Sequence, residues 1–181
     1  YSLKKLNINN GLMITGSHNP SSYNGIKMVI NNKTLFDDHI IEIYKSIISD
    51  EFKKNKVEGK LIKDDAVLDN YIKDIKFDIN IKSKLKVSID CGNGITGAIT
   101  RKVFDALNIS FDIIYENVDG SFPNHPPDPT DERNLLELKN NIIKNKSDIG
   151  FAYDGDGDRI CVVTKDGKMI WPDQLLILYS R

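Results

Sequence analysis

The sequence has too little of two residue types to support some common classes of protein. It contains only two cysteines in 181 residues, Cys91 and Cys161, which are too few for a disulfide framework or a cysteine zinc site. Both follow the pattern of small core residues. The three histidines, at positions 18, 39 and 125, lack the His-x-x-x-His spacing of a helical metal site, and we expect His39 to lie on the surface.

Long apolar runs and an excess of one charge are also absent. No apolar run approaches the roughly 20 residues of a membrane span, and the first residues do not resemble a signal peptide. The net charge of −1 gives no general attraction to nucleic acid or to an anionic membrane, so any anion recognition must be local. We therefore expect a cytoplasmic protein with no nucleic-acid or membrane partner.

A regular alternation of strands and helices begins near residue 84. It predicts an α/β fold with three-layer α/β/α domains and mixed, mainly parallel sheets. The predicted strands are 85–90, 110–115 and 148–153, and the predicted helices are 96–107 and 131–144. A hairpin over 160–171 and a helix over 173–179 follow.

The first 80 residues show a different pattern. Two short apolar runs, 11–15 and 27–30, predict strands on either side of a loop, and apolar residues at helical spacing predict helices over 38–54 and 64–75. The polar, mixed stretch that ends at Lys84 is the best candidate for a domain boundary.

Three aspartates alternate with glycines directly after the strand predicted at 148–153. This acidic loop, residues 154–159, reads Asp154-Gly-Asp156-Gly-Asp158-Arg159. Carboxylates at this density suit Mg²⁺ or a similar hard cation, and the guanidinium suits phosphate oxygens. An EF-hand is excluded, because it needs Gly and Glu where Arg159 and Lys165 stand. A solvated Asp-Gly turn stays open as an alternative.

A glycine-rich turn follows the strand at 85–90. Gly92, Gly94 and Gly97 form a Gly-x-Gly-x-x-Gly pattern between strand and helix, and Glu116 comes about 20 residues later, as in a dinucleotide-binding fingerprint. Any tight strand-to-helix turn also benefits from glycine, so the pattern alone is weak. A dinucleotide site would leave the acidic loop without a function.

A serine loop, residues 16–20, follows the first predicted strand. Ser17, His18 and Asn19 lie close to Lys27 in sequence, a grouping that suits a nucleophile with nearby proton donors and acceptors. A hydrolase elbow is excluded, since Gly-x-Ser-x-Gly would need glycine in place of Asn19. A plain Ser/Asn/Pro turn remains an alternative.

Four separated motifs, in this order along the chain, resemble the α-D-phosphohexomutases. The details are most similar to the bacterial phosphomannomutase/phosphoglucomutase branch of that family. The residues that favour this branch are Tyr23-Asn24 and Trp171-Pro172-Asp173. The four motifs are 15–20, 90–94, 122–126 and 154–159.

The resemblance implies functions for several residues of the serine loop and the acidic loop. Ser17 is similar to the phosphoserine that carries the phosphoryl group and completes the site of one Mg²⁺, whose other ligands would be Asp154, Asp156 and Asp158. Arg159 would contact the phosphate.

Three further residues receive functions from the same resemblance. Lys27 and His18 are similar to residues that handle the proton of the sugar hydroxyl. Asn19 would bind substrate or phosphate. A lysine that ends a turn is common on protein surfaces, so Lys27 also has a plain interpretation.

The implied reaction is reversible phosphoryl transfer between the 6- and 1-positions of a hexose phosphate, mannose or glucose, through phosphoserine and hexose 1,6-bisphosphate. Phosphoglucosamine mutase is an alternative, as is a non-catalytic module that binds phosphosugar or metal. Sequence alone leaves the oligomeric state open, monomer or dimer.

Two departures from the family pattern affect the expectation. Pro126 stands where the family commonly has a second histidine, and the chain is much shorter than such four-domain mutases. We therefore expect a fragment with little or no turnover by itself. Residues 1–80 would form the later part of the first domain, 84–170 the second, and 171–181 the start of a third.

Overall fold

The computed structural model describes residues 1–50 and 57–181. None of the helices formed by the described residues has the length and apolar character that crossing a bilayer needs. The chain forms two compact units. The first unit comprises residues 1–15 and 26–71, and the second comprises 16–25 and 72–181.

The first unit contains a three-stranded antiparallel sheet. Its strands are β1 (Gly11–Ile14), β2 (Ile26–Ile30) and β3 (Lys33–Thr34), in the order β1-β2-β3. Leu12 pairs with Met28 in the register of β1 and β2. The two predicted strands are present, whereas β3 is too short to leave a sequence pattern.

Three helices accompany this sheet in the sequence: α1 (Ser2–Lys5), α2 (Asp38–Ser49) and α3 (Ala66–Asp78), the last of which crosses the division between the units. Helix α2 ends where Asp50 adopts a left-handed conformation, φ 53°, a common helix terminator. The helix was predicted to run to residue 54, and residues 51–54 lie outside the described part of the chain.

The second unit is built on a five-stranded mixed sheet. The strand order is β5-β4-β6-β7-β8, with β4 parallel to β5 and β6, and the remaining pairs antiparallel. The predicted mixed α/β class is confirmed. The strands are β4 (Lys86–Asp90), β5 (Ser110–Ile114), β6 (Ile149–Tyr153), β7 (Ile160–Thr164) and β8 (Met169–Ile170).

Helices cover both faces of this sheet, because its central strands are apolar on both sides. On one face, Phe104 of α4 (Gly97–Ala106) packs in a cluster with Val87 and Ile89 of β4. On the other, Leu138 of α5 (Leu136–Asn145) packs with Val163 of β7. The result is a three-layer α/β/α arrangement within the second unit.

Three details of this unit refine the sequence prediction. The helix predicted at 131–144 begins as a 3-10 turn, Glu132–Leu135, capped by the Asp131 side chain, before α5. The last helix, α6 (Pro172–Tyr179), starts at a proline, which is favourable in a first turn. Cys91 and Cys161 are buried as expected, and burial raises the pKa of both thiols to about 11.

The parallel strands determine where a site can form. Since β4, β5 and β6 run the same way, the segments that follow them meet at one edge of the sheet. Strand β4 lies between β5 and β6, so the chain reverses its direction of winding beside β4. Ligands of such sheets bind at this position, outside the carboxyl ends of the strands.

Candidate active site

The acidic loop follows β6 at this edge. One carboxylate oxygen from each of Asp154, Asp156 and Asp158 lies within 4.8 Å of the others. Asp154 is fully buried, Asp156 is partly buried and Asp158 is exposed. Three hard oxygen ligands converging from a buried side to solvent fit a cation such as Mg²⁺, which usually keeps several water ligands.

Arg159 is held by carboxylates on two sides. Its Nε donates to Asp154 Oδ2 at 3.0 Å and its Nη1 donates to Asp128 Oδ1 at 3.2 Å. Its backbone N–H donates to Asp154 Oδ1 at 3.0 Å. Nη2 is buried and has no hydrogen-bond partner among the described residues. A fixed guanidinium with one unused donor group suits an additional anion.

The serine loop belongs to the same compact unit as the acidic loop. Ser17 has φ 51°, a left-handed conformation that costs a residue with a Cβ roughly 1 to 2 kcal/mol and is a form of strain found at functional sites. Its Oγ lies 3.1 Å from His18 Nδ1. When that nitrogen is unprotonated, the hydroxyl donates to it and His18 can accept the proton.

Close backbone contacts at Gly155 and Gly94 bring the serine loop, the acidic loop and the glycine turn (residues 91–97) together. A Cβ on Gly155 would overlap the carbonyl oxygen of Ser17, and a Cβ on Gly94 would stand 2.6 Å from the carbonyl oxygen of Gly155. Ile95 N also donates to that Gly155 oxygen at 3.0 Å. The three segments therefore stack with no side chain between them.

The same contacts explain the Gly-x-Gly-x-x-Gly pattern. Besides Gly94, Gly97 lies against the Glu116 carbonyl oxygen, which a Cβ would overlap. Gly92 has φ 50°, where glycine is favoured. The local backbone therefore explains why glycine stands at each of these positions. The likeness of the pattern to a dinucleotide-binding fingerprint needs no bound cofactor to explain it.

The proline loop, residues 119–130, lies in the segment that follows β5 at the same edge of the sheet. Asn93 in the glycine turn binds it through backbone and side chain: Asp119 N donates to Asn93 O at 3.0 Å, and Asn124 Nδ2 donates to Asn93 Oδ1 at 2.7 Å. Asp90, 1% exposed, pairs with His125 at 3.1 Å. The loop is therefore tied to the end of β4.

Asp128 connects the proline loop to the charged groups of the site. Burial acts to raise its pKa, but the hydrogen bonds from Thr130 and the nearby Arg159 and His18 outweigh burial and lower it. The carboxylate is thus ionised well below neutral pH. This makes Asp128 a persistent negative partner of Arg159.

The predicted site residues divide between the two units. Ser17, His18 and Asn19 belong to the second unit, where Asn19 N closes the turn by donating to Gly16 O at 3.0 Å. Lys27 lies on β2 in the first unit, paired with Met13. The second unit also contains the three aspartates and Arg159.

Sequence reasoning assigned no function to Asp128, His125 or Asp90, although Asp90 and His125 lie within two of the four motifs, 90–94 and 122–126. Neither these motifs nor the density of prolines around Asp128 and His125 indicates what the two side chains contact. A buried aspartate at the end of a strand, as at Asp90, has no distinctive sequence pattern.

Comparison with known families identifies the architecture. A family model described as phosphoglucomutase/phosphomannomutase, alpha/beta/alpha domain II, matches residues 69–167, more than half of the chain. The chain belongs to the phosphoglucomutase/phosphomannomutase family. The model of domain I of this family matches residues 1–54. The phosphohexomutase resemblance of the four motifs is confirmed.

Relatives in this family match almost all of the chain. A phosphomannomutase/phosphoglucomutase from Pseudomonas syringae pv. tomato is 42% identical over 170 residues, which are 94% of this chain and 36% of that protein. A phosphoglucomutase from Neisseria meningitidis serogroup B is 40% identical over 171 residues, 94% of this chain and 37% of that protein. The chain thus spans little more than a third of these relatives.

A solved structure of a family member also matches the fold of nearly the whole chain. A phosphoglucomutase/phosphomannomutase family protein from Burkholderia thailandensis superimposes with a TM-score of 0.91 and 39% identity, over 96% of this chain and 37% of that one. The two-sheet architecture described above is therefore that of a known family member.

Proposed function

We propose that the chain is the phosphoryl-transfer part of a hexose phosphate mutase. The reaction is reversible transfer of a phosphoryl group between the 6- and 1-positions of a mannose or glucose phosphate. The observation that carries the proposal is the contact of the Ser17 carbonyl oxygen with Gly155, because Gly155 belongs to the acidic loop, whose three carboxylates converge. Membership of the family supports the same reaction.

Ser17 carries the phosphoryl group in this proposal. Its backbone is held in a left-handed conformation, which presents the side chain from a tight loop. His18 Nδ1, 3.1 Å from the hydroxyl, accepts the proton as the hydroxyl oxygen attacks phosphorus, and returns a proton when the phosphoserine transfers its group to a sugar.

Asp154, Asp156 and Asp158 hold one Mg²⁺, with the Ser17 side chain as a further ligand. The cation supplies charge neutralisation for the phosphoryl group during transfer. The three carboxylates repel one another in its absence. Asp154 retains lone pairs for a cation although both its oxygens accept hydrogen bonds from Arg159.

Arg159 binds the phosphate carried by Ser17. Two of its nitrogens are occupied by Asp154 and Asp128, which leaves Nη2 to donate to a phosphate oxygen. A phosphoserine bears about −1.5 to −2 charges at neutral pH, so a positive group beside the carboxylates offsets the repulsion between them and the phosphate.

The cycle follows from these assignments. The phosphoserine donates its group to the free hydroxyl of a hexose monophosphate, the P–O bond to Ser17 breaks, and hexose 1,6-bisphosphate forms. Ser17 then attacks the other phosphate and is phosphorylated again. Lys27 accepts the proton of the attacking sugar hydroxyl and returns a proton to the sugar oxygen that leaves when Ser17 attacks the other phosphate. Asn19 binds substrate or phosphate.

The experiment is peptide-mapped mass spectrometry of the natural protein that carries these residues, before and after glucose 1,6-bisphosphate with Mg²⁺. We expect phosphate on Ser17 and none on the neighbouring Ser21 and Ser22, which serve as internal controls. Ser17→Ala should abolish the modification. Phosphate on Ser22 instead, or a Ser17 that stays unmodified in a folded, Mg²⁺-bound protein, would favour the non-catalytic binding module. An assay with glucosamine 6-phosphate distinguishes a phosphoglucosamine mutase from a mutase of mannose or glucose phosphate.

A further inference from the structure

A buried ion pair joins two of the segments that surround the site. Asp90 ends β4, and the side chains of Asp90 and His125 are only 1% and 14% exposed. Asp90 Oδ2 lies 3.1 Å from His125 Nε2, while Asp90 Oδ1 accepts from Gly92 N at 2.8 Å. Because one carboxylate bonds both the glycine turn and the proline loop, it fixes the two segments against each other.

The contacts of His125 determine its charge. Its Nδ1 lies 2.8 Å from the Pro126 carbonyl oxygen, which can only accept a hydrogen bond, so Nδ1 carries a proton. Its Nε2 faces the Asp90 carboxylate, which accepts when it is ionised. Both bonds form together only in the imidazolium. The hydrogen bond to Asp90 raises the pKa of His125 above its ordinary 6.5, although burial opposes this shift.

The groups that face His125 from other elements favour the same charge. Asp90 comes from β4 and Glu137 from α5, and both are acidic. Tyr115, directly after β5, packs edge-on against the ring with centroids 5.4 Å apart. Burial and a hydrogen bond to Glu137 raise the pKa of Tyr115 to about 12, so this phenol stays neutral while His125 titrates.

The Pro126 carbonyl connects His125 to Arg159. The same oxygen that accepts from His125 also accepts from Asp128 N at 2.8 Å. Pro126 and Pro127 restrict the backbone between His125 and Asp128. The Asp128 side chain then reaches Arg159 Nη1 at 3.2 Å. A continuous series of contacts therefore runs from Asp90 to the guanidinium.

We propose that His125 is a positioning residue for Arg159: held as an imidazolium between Asp90 and the Pro126 carbonyl, it fixes the proline loop so that Asp128 reaches the guanidinium. The positioning itself stands on the contacts above. Only its consequence, correct placement of Arg159 against a phosphate, rests on the proposed function.

The test is ¹⁵N NMR of the 181-residue chain, which follows the histidine ring nitrogens and the Arg159 Nε–H through a pH titration. Comparison with Arg159→Lys assigns the arginine signal. We expect both His125 nitrogens to be protonated above pH 6.5 and the Arg159 signal to shift with the same midpoint. Asp90→Asn keeps an acceptor for Gly92 N but removes the charge, and should lower the pKa of His125 by about 1 to 3 pH units.

His125→Gln should move the Arg159 signal, speed its exchange with solvent and remove its pH dependence around the His125 midpoint. The matched control is His39→Gln, because His39 is exposed and its Nδ1 lies 3.2 Å from the carbonyl oxygen of its neighbour in sequence Phe36. It should leave the Arg159 signal unchanged.

An ordinary titration of His125 near 6.5, or an Arg159 signal that ignores that titration, would overturn the proposal. The wild-type titration decides this even if His125→Gln does not fold. If the coupling is present but Ser17 never accepts phosphate, the positioning holds and the proposed mutase function fails.

Discussion

Gly94 lies directly against Gly155, so that a Cβ on Gly94 would stand 2.6 Å from the Gly155 carbonyl oxygen and 2.9 Å from its Cα. The contact joins the glycine turn after β4 to the acidic loop after β6. The position of the carboxylates therefore depends on a backbone approach that only glycine permits.

Gly94→Ala should destabilise the chain by about 1 to 3 kcal/mol, as overpacking of a closely packed site usually does, and weaken Mg²⁺ binding. Urea unfolding with and without Mg²⁺ measures both effects. Gly59→Ala is the matched control, because a Cβ there meets no atom of the described residues within 4 Å. Equal effects of the two substitutions would contradict the importance of the contact.

Ser17→Gly should stabilise the fold while removing the phosphate acceptor. Glycine adopts the φ of 51° at this position without the strain that serine bears, so we expect a gain of up to about 1 kcal/mol in the free energy of unfolding. Ser22→Gly, at an exposed position without positive φ, should instead lose stability. Thermal unfolding of the two variants measures both changes. A loss of stability in Ser17→Gly as large as that in Ser22→Gly would contradict the strain at Ser17.

Asp156→Asn should lower Mg²⁺ affinity by more than about tenfold, since it removes one of three converging carboxylates. Isothermal titration calorimetry gives the affinity. The matched control is Asp166→Asn, which removes the same charge from an exposed aspartate in the β7–β8 turn. This control should leave the Mg²⁺ affinity unchanged. Unaltered affinity in Asp156→Asn would remove the acidic loop as the metal site.

His125 should make stability depend on pH. Its pKa is raised in the folded state, so its contribution is complete below the ordinary value of 6.5 and is lost as the pH rises through the raised value. The advantage of the wild type over His125→Gln should therefore be larger near about pH 5.5 than near about pH 9. The difference should be about 1.4 kcal/mol for every pH unit by which the pKa of folded His125 exceeds the ordinary value. Urea unfolding at the two pH values checks this, and an advantage that grows with pH would have the opposite sign.

The part of the fold that follows residue 84 was predictable because its strands are apolar and separated by amphipathic helices. The acidic loop was predictable because its three aspartates stand at alternate positions within five residues. The contacts of the proline loop were not, because its partners are distant: His125 and Asp90 are 35 residues apart, and Arg159 and Asp128 are 31 apart. Neither separation leaves a periodic pattern.

The glycine turn shows the other limit of sequence reasoning. Gly94 and Gly97 matched a dinucleotide fingerprint, but their contacts are with Gly155 and Glu116, which no local pattern could supply. The division into 1–80, 84–170 and 171–181 stays a prediction. So do the functions of all the predicted site residues, which are Ser17, His18, Asn19, Lys27, Asp154, Asp156, Asp158 and Arg159.

The most direct test of the central claim is return of the phosphoryl group in a single turnover. The natural protein, phosphorylated on Ser17 and freed of sugar, is mixed with glucose 6-phosphate or mannose 6-phosphate and Mg²⁺, and ³¹P NMR follows the phosphoserine signal. The account predicts that this signal disappears as hexose 1,6-bisphosphate or hexose 1-phosphate appears, without inorganic phosphate. A phosphoserine that persists, or that is released only as inorganic phosphate, would contradict it.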